Sequence, residues 1–405
     1  MNFKPQNYES LMASYAQKGS LSKGRLYNEQ ESEHRSPFQR DRDRIIHTTA
    51  FRRLQFKTQV FVNHEGDHFR NRLTHTIEVA QIARTISKAL FLNEELAESL
   101  ALSHDLGHTP FGHCGEDVLN QCLSDIGGFE HNAQSLKIVT KLEQRYADFD
   151  GLNLTWEALE GLVKHNGPLL DSKSQPAKRY AKNGVPRYVN EFCKSFDLEI
   201  NKFSNLEAQI AACADDVAYN NHDIDDGLRA NLFKFEDLFE LPIFGDILRD
   251  IKVRYADISP TRQMHEANRK LIGLMVEDIL SNTKNNIEKY NIQTTEDVHN
   301  APIAIGNFSN EILDAINHLQ AFLMENMYRA ESVSIERVAA AKIIEDLFEI
   351  YLLKPENLPK NWLVENSQNS MSVTKRKIGD FIAGMTDRFA ITEHKRLFAN
   401  TPQMR

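Results

Sequence analysis

The sequence predicts an all-α protein. Apolar residues recur at three- and four-residue intervals through most of the chain, as one face of a helix requires, while the alternating period of a half-buried strand is nearly absent. Turn signals such as Gly127-Gly128 and Gly167-Pro168 fall between the periodic segments rather than inside them.

Residues 1–40, ending near Ser36-Pro37 and the charged run Arg40-Asp41-Arg42-Asp43-Arg44, read as a polar N-terminal arm, long enough to reach a neighbouring subunit. The first firm helix is expected from about Arg42 to Leu54. Leu73, Ile77, Ala80, Ala83 and Leu90 then mark a helix over Arg72 to Leu90, and Leu96, Leu100 and Ala101 another over Glu94 to His104. Further helices are expected over Asn132 to Tyr146, Thr155 to Lys164, Leu206 to Asn221 and His265 to Leu280. Asp171 to Asn190, polar and broken by Pro176 and Pro186, and Ser281 to Gly306, rich in Asn and Thr, read as loops or insertions. Ile312, Ile316, Leu319, Leu323 and Met327 form one late stripe and Val338 to Leu353 another. The last patterned stretch is Ile378 to Arg388. The expected organisation is an arm at 1–40, a helical core at 41–280 with a loop insertion at about 171–200, and a C-terminal helical region at 281–405 packed on that core.

A chain of 405 residues with 41% hydrophobic content can bury a large core. Its formal charge of −9 is spread through a chain that is 26% charged, which argues for a soluble protein without a dominant nucleic-acid or membrane footprint. No stretch approaches the roughly 18 apolar residues of a membrane span, and the opening Met1-Asn2-Phe3-Lys4-Pro5-Gln6 lacks the apolar core of a signal peptide. The expected location is cytoplasmic. Cys114, Cys122, Cys193 and Cys213 have no metal-finger spacing and read as reduced thiols in or near the core. There is no internal repeat and no glycine-rich phosphate loop, so phosphate binding would fall to a metal and basic side chains.

The densest chemistry lies between His104 and Glu116, in His-Asp-Leu-Gly-His-Thr-Pro-Phe-Gly-His-Cys-Gly-Glu. A continuous helix crosses Gly107, Pro110, Gly112 and Gly115 only at a cost, and buried histidines and carboxylates need partners, so stability alone gives little reason for this string. Eight of the fifteen histidines fall between His64 and His165. Imidazole nitrogens with carboxylate oxygens suit a borderline or hard divalent ion, and an adjacent His104-Asp105 pair can present both donors where the backbone turns, a turn expected at Gly107. His75, His104, Asp105 and an Asp from the Ala212–Tyr219 segment can converge from three helices and leave positions open for water and substrate. Such a site suits phosphoester hydrolysis. Phe51, Phe56, Phe61 and Phe69 could mimic a base-stacking platform, but core packing accounts for them.

The order His75, His104-Asp105, Asp215 resembles the H…HD…D signature of the HD-domain metal phosphohydrolases. The surrounding text is more specific: Phe51-Arg52-Arg53-Leu54, Lys57-Thr58-Gln59-Val60-Phe61, Arg70-Asn71-Arg72-Leu73-Thr74-His75-Thr76, the Gly107–Glu116 run, Gly128-Phe129-Glu130-His131-Asn132 and His222-Asp223-Ile224-Asp225-Asp226-Gly227. Together these resemble the deoxynucleoside triphosphate triphosphohydrolases, the dGTPase family, from about Arg35 to Arg388. The resemblance implies an HD-domain helical bundle with additional C-terminal helices. It also implies release of a deoxynucleoside and intact tripolyphosphate from a deoxynucleoside triphosphate.

By the same resemblance His75, His104, Asp105 and Asp215 are the metal ligands, and the ion is Mg or Mn, with Fe, Co or Ni also admitted by the donor set. Asp215 is preferred to Asp216 because Tyr219 and Asp223, similar to the family's sugar-contacting pair, follow four and eight residues later on its helical face. Tyr219 beneath the deoxyribose would exclude a 2′-hydroxyl. His113 and Glu116 match a catalytic pair, close enough to touch if a helix restarts at Gly112, with Glu116 setting the tautomer of His113. His108 and His131 match further catalytic or triphosphate contacts, Arg72 a phosphate-binding arginine, Gln59 a residue near sugar and base, and His165 a residue at the mouth of the site. Homo-oligomers are expected, and in some members a nucleotide at a separate site. Two alternatives stay open: an HD-domain phosphohydrolase acting on another nucleotide, and a nucleotide-sensing or single-stranded nucleic-acid-binding protein with low turnover.

Overall fold

The computed structural model describes residues 6–59, 70–363 and 371–402. Among the described residues the chain forms helices and isolated bridges such as Arg25–Thr155, with no strand. No helix among them is long and apolar enough to cross a membrane.

After one turn, α1 (Gln6–Glu9), the N-terminal segment lies along the body of the protein rather than free of it. Arg25 Nη1 meets the buried Asp41 carboxylate at 2.5 Å, Arg44 grips Glu29 at 2.8 and 2.9 Å, and the Gln17 N–H reaches Glu207 at 2.9 Å. The single helix expected over Arg42–Leu54 is two: α2 (Pro37–Ile46) and α3 (Thr49–Arg53). Ser36 caps the first by accepting the Gln39 N–H, with Pro37 at the position where its missing N–H costs nothing. Thr48 interrupts the pattern by capping the second, accepting the Phe51 N–H at 3.0 Å.

The two helices that precede the histidine run are α4 (Arg72–Ala89) and α5 (Glu94–Ser103), close to their expected bounds. After α6 (Gly112–Cys122), α7 (His131–Lys137) closes in a π-helical turn at Ile138–Leu142, short of the expected Tyr146. Next come α8 (Trp156–Val163), α9 (Arg187–Cys193) within the insertion, and α10 (Leu206–Arg229), which runs on past Asn221. A helix not anticipated, α11 (Phe244–Arg254), leads to α12 (Pro260–Lys289) and α13 (Thr295–His299). The chain ends with α14 (Asn310–Leu323) and its π-helical turn Met324–Tyr328, α15 (Glu331–Leu353), α16 (Met371–Ala383) and α17 (Asp387–Leu397).

The loop expected from Ser281 to Gly306 is therefore corrected: helix continues to Lys289 and resumes at Thr295. Asn and Thr are poor helix formers, but here tertiary contacts outweigh propensity. The Asn282 amide donates to the Asn307 and Phe308 carbonyls at 2.9 and 3.0 Å, and the Asn286 amide to Ile305 at 3.1 Å, so those side chains satisfy the incoming loop.

One hydrophobic core joins α4, α5, α8 and α10 and continues through α12 and α14 to Met327, so position 280 lies inside a helix of that core. Ala211, Ala214 and Ala218 on α10 are buried and small, which lets α4 approach closely. Burying Ile210 and Val217 beside them contributes about 1.5–3 kcal/mol each. A second core gathers Leu119 of α6 and Leu123 just after it with Ile343, Leu347 and Tyr351 of α15, Ile378 and Ile382 of α16 and Ala390 of α17. The helix carrying His113 thus packs on the C-terminal helices. Phe51 is a core residue and Phe56 is exposed; Phe61 and Phe69 lie outside the described residues. The four cysteines are unpaired.

Candidate active site

Four groups converge where α4, α5 and α10 meet. His75 stands on the first turn of α4, and its Nε2 lies 2.9 Å from Asp215 Oδ1 on α10. α5 ends in a 3-10 turn, His104–Gly107, which brings His104 Nε2 to 3.3 Å from Asp105 Oδ1 and 3.6 Å from Asp215 Oδ1. Asp216 is exposed, whereas Asp215 faces the cluster. The His104 Nδ1–H donates to the Ala101 carbonyl at 2.6 Å, so the Nε2 lone pair points into the cluster, where it is buried and has no hydrogen-bond partner. An orphaned buried imidazole lone pair beside two carboxylates fits a divalent cation, and His75, His104 and Asp215 lie close enough to share one. Asp105 lies beside this group, 3.3 Å from His104 Nε2.

The electrostatics keep the two carboxylates anionic. Burial pushes the Asp105 carboxyl up, but Arg72, His104 and His108 outweigh it and hold Asp105 well below the usual carboxylate range. Burial also acts on Asp215, where His104, His165 and His75 reverse it. Burial lowers His104, yet Asp105 and Asp215 raise it on balance to about 9, so a cation and a proton compete for the same lone pair. Arg72, buried three residues before His75, places Nη1 3.0 Å from Asp105 Oδ2 and leaves Nε without a partner. His165 Nε2 lies 3.3 Å from Asp215 Oδ2, with its ring stacked on His104 at 5.4 Å.

The turn at Gly107 works through absent bulk rather than through a left-handed backbone. A Cβ there would lie 2.0 Å from the His131 carbonyl oxygen and 2.4 Å from the Ser135 nitrogen, so only glycine lets the 3-10 turn rest on the start of α7. Left-handed backbone occurs instead at Phe111, φ 60°, and Gly112, φ 59°, where the chain reverses into α6. That reversal is clamped from the far end of the sequence: Asp387 accepts the N–H groups of Phe111 and Thr58 at 2.9 and 2.8 Å and the Thr58 hydroxyl. The buried Lys57 ammonium donates to the His108 carbonyl and, at 2.9 Å, to the Ala383 carbonyl.

α6 restarts at Gly112, as contact between His113 and Glu116 requires, but Glu116 has a nearer partner. Its carboxylate accepts from His131 Nδ1 at 2.9 and 3.0 Å and from the His131 backbone N–H at 3.0 Å, while His113 Nδ1 lies 3.6 Å away. Glu116 therefore holds His131 more closely than His113, the pair expected from spacing. His131 is largely covered at the N-terminus of α7, with its side chain 13% exposed, and its backbone N–H has no intrahelical acceptor, whereas the His113 side chain is 61% exposed. His108 stacks on His131 with ring centroids 4.2 Å apart, and its Nε2 lies 3.2 Å from Asp105 Oδ1. Burial, then Arg72 and His131, push His108 well below the usual histidine range, so it is a neutral hydrogen-bonding group at physiological pH. His108, Glu116 and His131 could also chelate an ion, but stacked rings aim their in-plane lone pairs poorly at one centre and Glu116 is already occupied. A hydrogen-bonded pair fits better.

On the other flank Tyr219 and Asp223 do share a face of α10, and a third residue joins them. The Tyr328 hydroxyl donates to Asp223 Oδ2 at 2.6 Å and hydrogen-bonds the Tyr219 hydroxyl. Asp223 Oδ1 is buried without a partner, and burial raises its carboxyl to about 8. Gln59 likewise holds a buried, unpartnered Oε1.

An HD-domain model matches residues 72–220, and a phosphohydrolase-associated-domain model matches residues 306–396. A deoxyguanosinetriphosphate triphosphohydrolase-like protein of Brucella ovis is 52% identical over 392 residues, covering 97% of this chain and 96% of its own. The chain belongs to the deoxyguanosinetriphosphate triphosphohydrolase-like family. Similar proteins of that description from Mesorhizobium japonicum, 50% identical with 97% and 96% covered, and Parvibaculum lavamentivorans, 51% identical with 95% and 96% covered, extend the match. As an HD-domain phosphohydrolase it carries its metal-competent cluster inside the HD segment, while Asp387 lies in the associated segment.

Sequence reading missed five residues of this family member's site. Tyr328 stands 105 positions from Asp223, in a π-helical turn, and the only signal was its place at the end of the Ile312–Met327 stripe. His222 was visible only as part of a motif. Lys57 was likewise visible only within a motif, Asp387 only within the last patterned stretch, and Glu78 carried no signal.

Proposed function

We propose that the protein hydrolyses deoxynucleoside triphosphates to deoxynucleoside and inorganic tripolyphosphate, with Mg or Mn as its native ion. One observation carries this reading: a His75, His104 and Asp215 cluster with Asp105 beside it is flanked by a buried arginine and a histidine–glutamate group on one side and by a Tyr219–Tyr328–Asp223 group on the other. That arrangement suits a cation, a phosphate chain and a sugar in one substrate. The printed names of the relatives point to the same chemistry.

His75, His104, Asp105 and Asp215 would hold a divalent cation, which would supply Lewis acidity toward water and offset phosphate charge. The remaining roles belong to the chain. Arg72 binds phosphate oxygens through the edge of its fork that Asp105 leaves free. Neutral His108 donates a hydrogen bond, and His131, oriented by Glu116, faces the triphosphate. As water attacks the α-phosphorus and the P–O5′ bond breaks, His113 passes a proton to the departing 5′-oxygen. Asp223, protonated and able to donate, reads the 3′-hydroxyl; Tyr219 packs beneath the ribose, Gln59 supplies a polar contact near the base, and His165 borders the entrance. In this account the HD core performs the chemistry and the C-terminal region holds its loop in place. We also propose a cytoplasmic homo-oligomer.

The test is incubation of the purified protein with Mn or Mg and each deoxynucleoside triphosphate, singly and mixed, with nucleosides resolved from nucleotides. Deoxynucleoside without mono- or diphosphate intermediates is expected. Monophosphate would indicate an HD hydrolase of another specificity, and no turnover with salt-sensitive oligonucleotide binding would indicate the sensing or nucleic-acid-binding alternative.

A further inference from the structure

His75 reaches the cluster through Nε2, and its other ring nitrogen is not idle. His75 Nδ1 lies 3.1 Å from His222 Nδ1 on α10, and His222 Nε2 is hydrogen-bonded to Glu78 Oε2, one turn beyond His75 on α4. His75 and His222 are almost fully buried, with rings edge to face at 79° and centroids 5.2 Å apart. Only one arrangement of protons serves a cation at His75 Nε2. That nitrogen must be a lone pair, so the proton sits on Nδ1, and a buried N–H without an acceptor is destabilising. Among the described residues the acceptor the ring meets there is His222 Nδ1, which must then be unprotonated. The His222 proton is thereby placed on Nε2, facing a carboxylate. In the opposite arrangement a His222 lone pair would face the Glu78 anion.

Glu78 is itself held. Arg70 Nε lies 3.8 Å from Glu78 Oε2, and Arg70 Nη1 bonds Asp225 and Asp226 of α10 at 2.5 and 3.1 Å. The chain Arg70–Glu78–His222–His75 therefore bridges the two helices that carry His75 and Asp215.

We propose that Glu78 and His222 form an outer relay that fixes the tautomer and direction of His75 and so sets the affinity of the metal site, which makes both of them positioning residues. The inference rests on the reading of His75 as a metal ligand, and outer partners of this kind typically govern about 10–100-fold in metal affinity.

The test is Mn(II) affinity of the full-length protein, measured by electron paramagnetic resonance of free Mn(II), with thermal melts alongside. Glu78 is half exposed, so Glu78→Ala should fold and weaken Mn(II) binding about 10–100-fold. His222→Phe should do the same, and His222→Asn, whose carbonyl oxygen replaces the Nδ1 acceptor, should recover most of the loss. His75→Ala is the control. Wild-type affinity in Glu78→Ala or in folded His222→Phe, with binding lost in His75→Ala, would overturn the relay alone. Wild-type affinity in His75→Ala would overturn the metal reading beneath it.

Discussion

The Asp387 carboxylate accepts the backbone N–H of Phe111 at 2.9 Å, joining residues 276 positions apart. Through this contact and those to Thr58, the first turn of the last helix holds the left-handed reversal from which α6 and His113 depart. Asp387→Ala would leave three buried donors without an acceptor. The expected cost is about 2–4 kcal/mol of stability, together with reduced turnover as the loop loosens. Calorimetry and steady-state rates check this; an unchanged melting temperature would show that the clamp is dispensable.

The metal cluster predicts a split between binding and chemistry. Asp105→Ala removes a donor and leaves Arg72 buried without its 3.0 Å partner, so both stoichiometric metal and turnover should be lost. Metal analysis after gel filtration decides the point, since retained metal removes Asp105 from the ligand set.

His113→Ala should behave differently. Its side chain is 61% exposed and outside the metal cluster, so the variant should keep its metal and its fold while turnover falls by about two orders of magnitude or more. Normal turnover in that variant would end the catalytic assignment of His113.

A pH effect follows from Asp223, whose carboxyl is raised by burial to about 8 from an ordinary 3.8. Below pH 4 the group is protonated in both folded and unfolded chains and has no effect. As pH rises from about 4 to 8 the unfolded chain gains by ionising while the folded chain does not, so this group costs progressively more stability and levels off above 8. Asp223→Asn mimics the protonated acid. Its melting temperature relative to the parent should therefore be more favourable at pH 8.5 than at pH 5, and a pH-independent difference would mean that Asp223 is ionised in the fold. Its turnover should fall at both values.

The parts of this molecule legible in sequence are those written in local patterns. α4 and α5 follow from apolar spacing, and the His104–Glu116 string announces a metal site because its glycines, proline and histidines suit no packed helix. Local patterns failed where distant contacts decide. Helix persists through Ser281–Lys289 because Asn282 and Asn286 satisfy carbonyls of residues 305–308, and one expected helix breaks at Thr48 because its hydroxyl caps the next. Spacing placed Glu116 within reach of His113, but could not show that His131, fifteen residues later, would hold it first. Tyr328, Asp387 and the Glu78–His222 relay are assembled across the fold and have no spacing to read.

The most direct measurement is phosphorus NMR of the reaction run in oxygen-18 water with Mg or Mn and a mixture of the four deoxynucleoside triphosphates. Intact tripolyphosphate carrying one heavy oxygen on a terminal phosphate, with unlabelled deoxynucleoside, is the predicted result: water attacks the α-phosphorus and the P–O5′ bond breaks. Deoxynucleoside monophosphate with pyrophosphate, or label in the deoxynucleoside, would contradict the account.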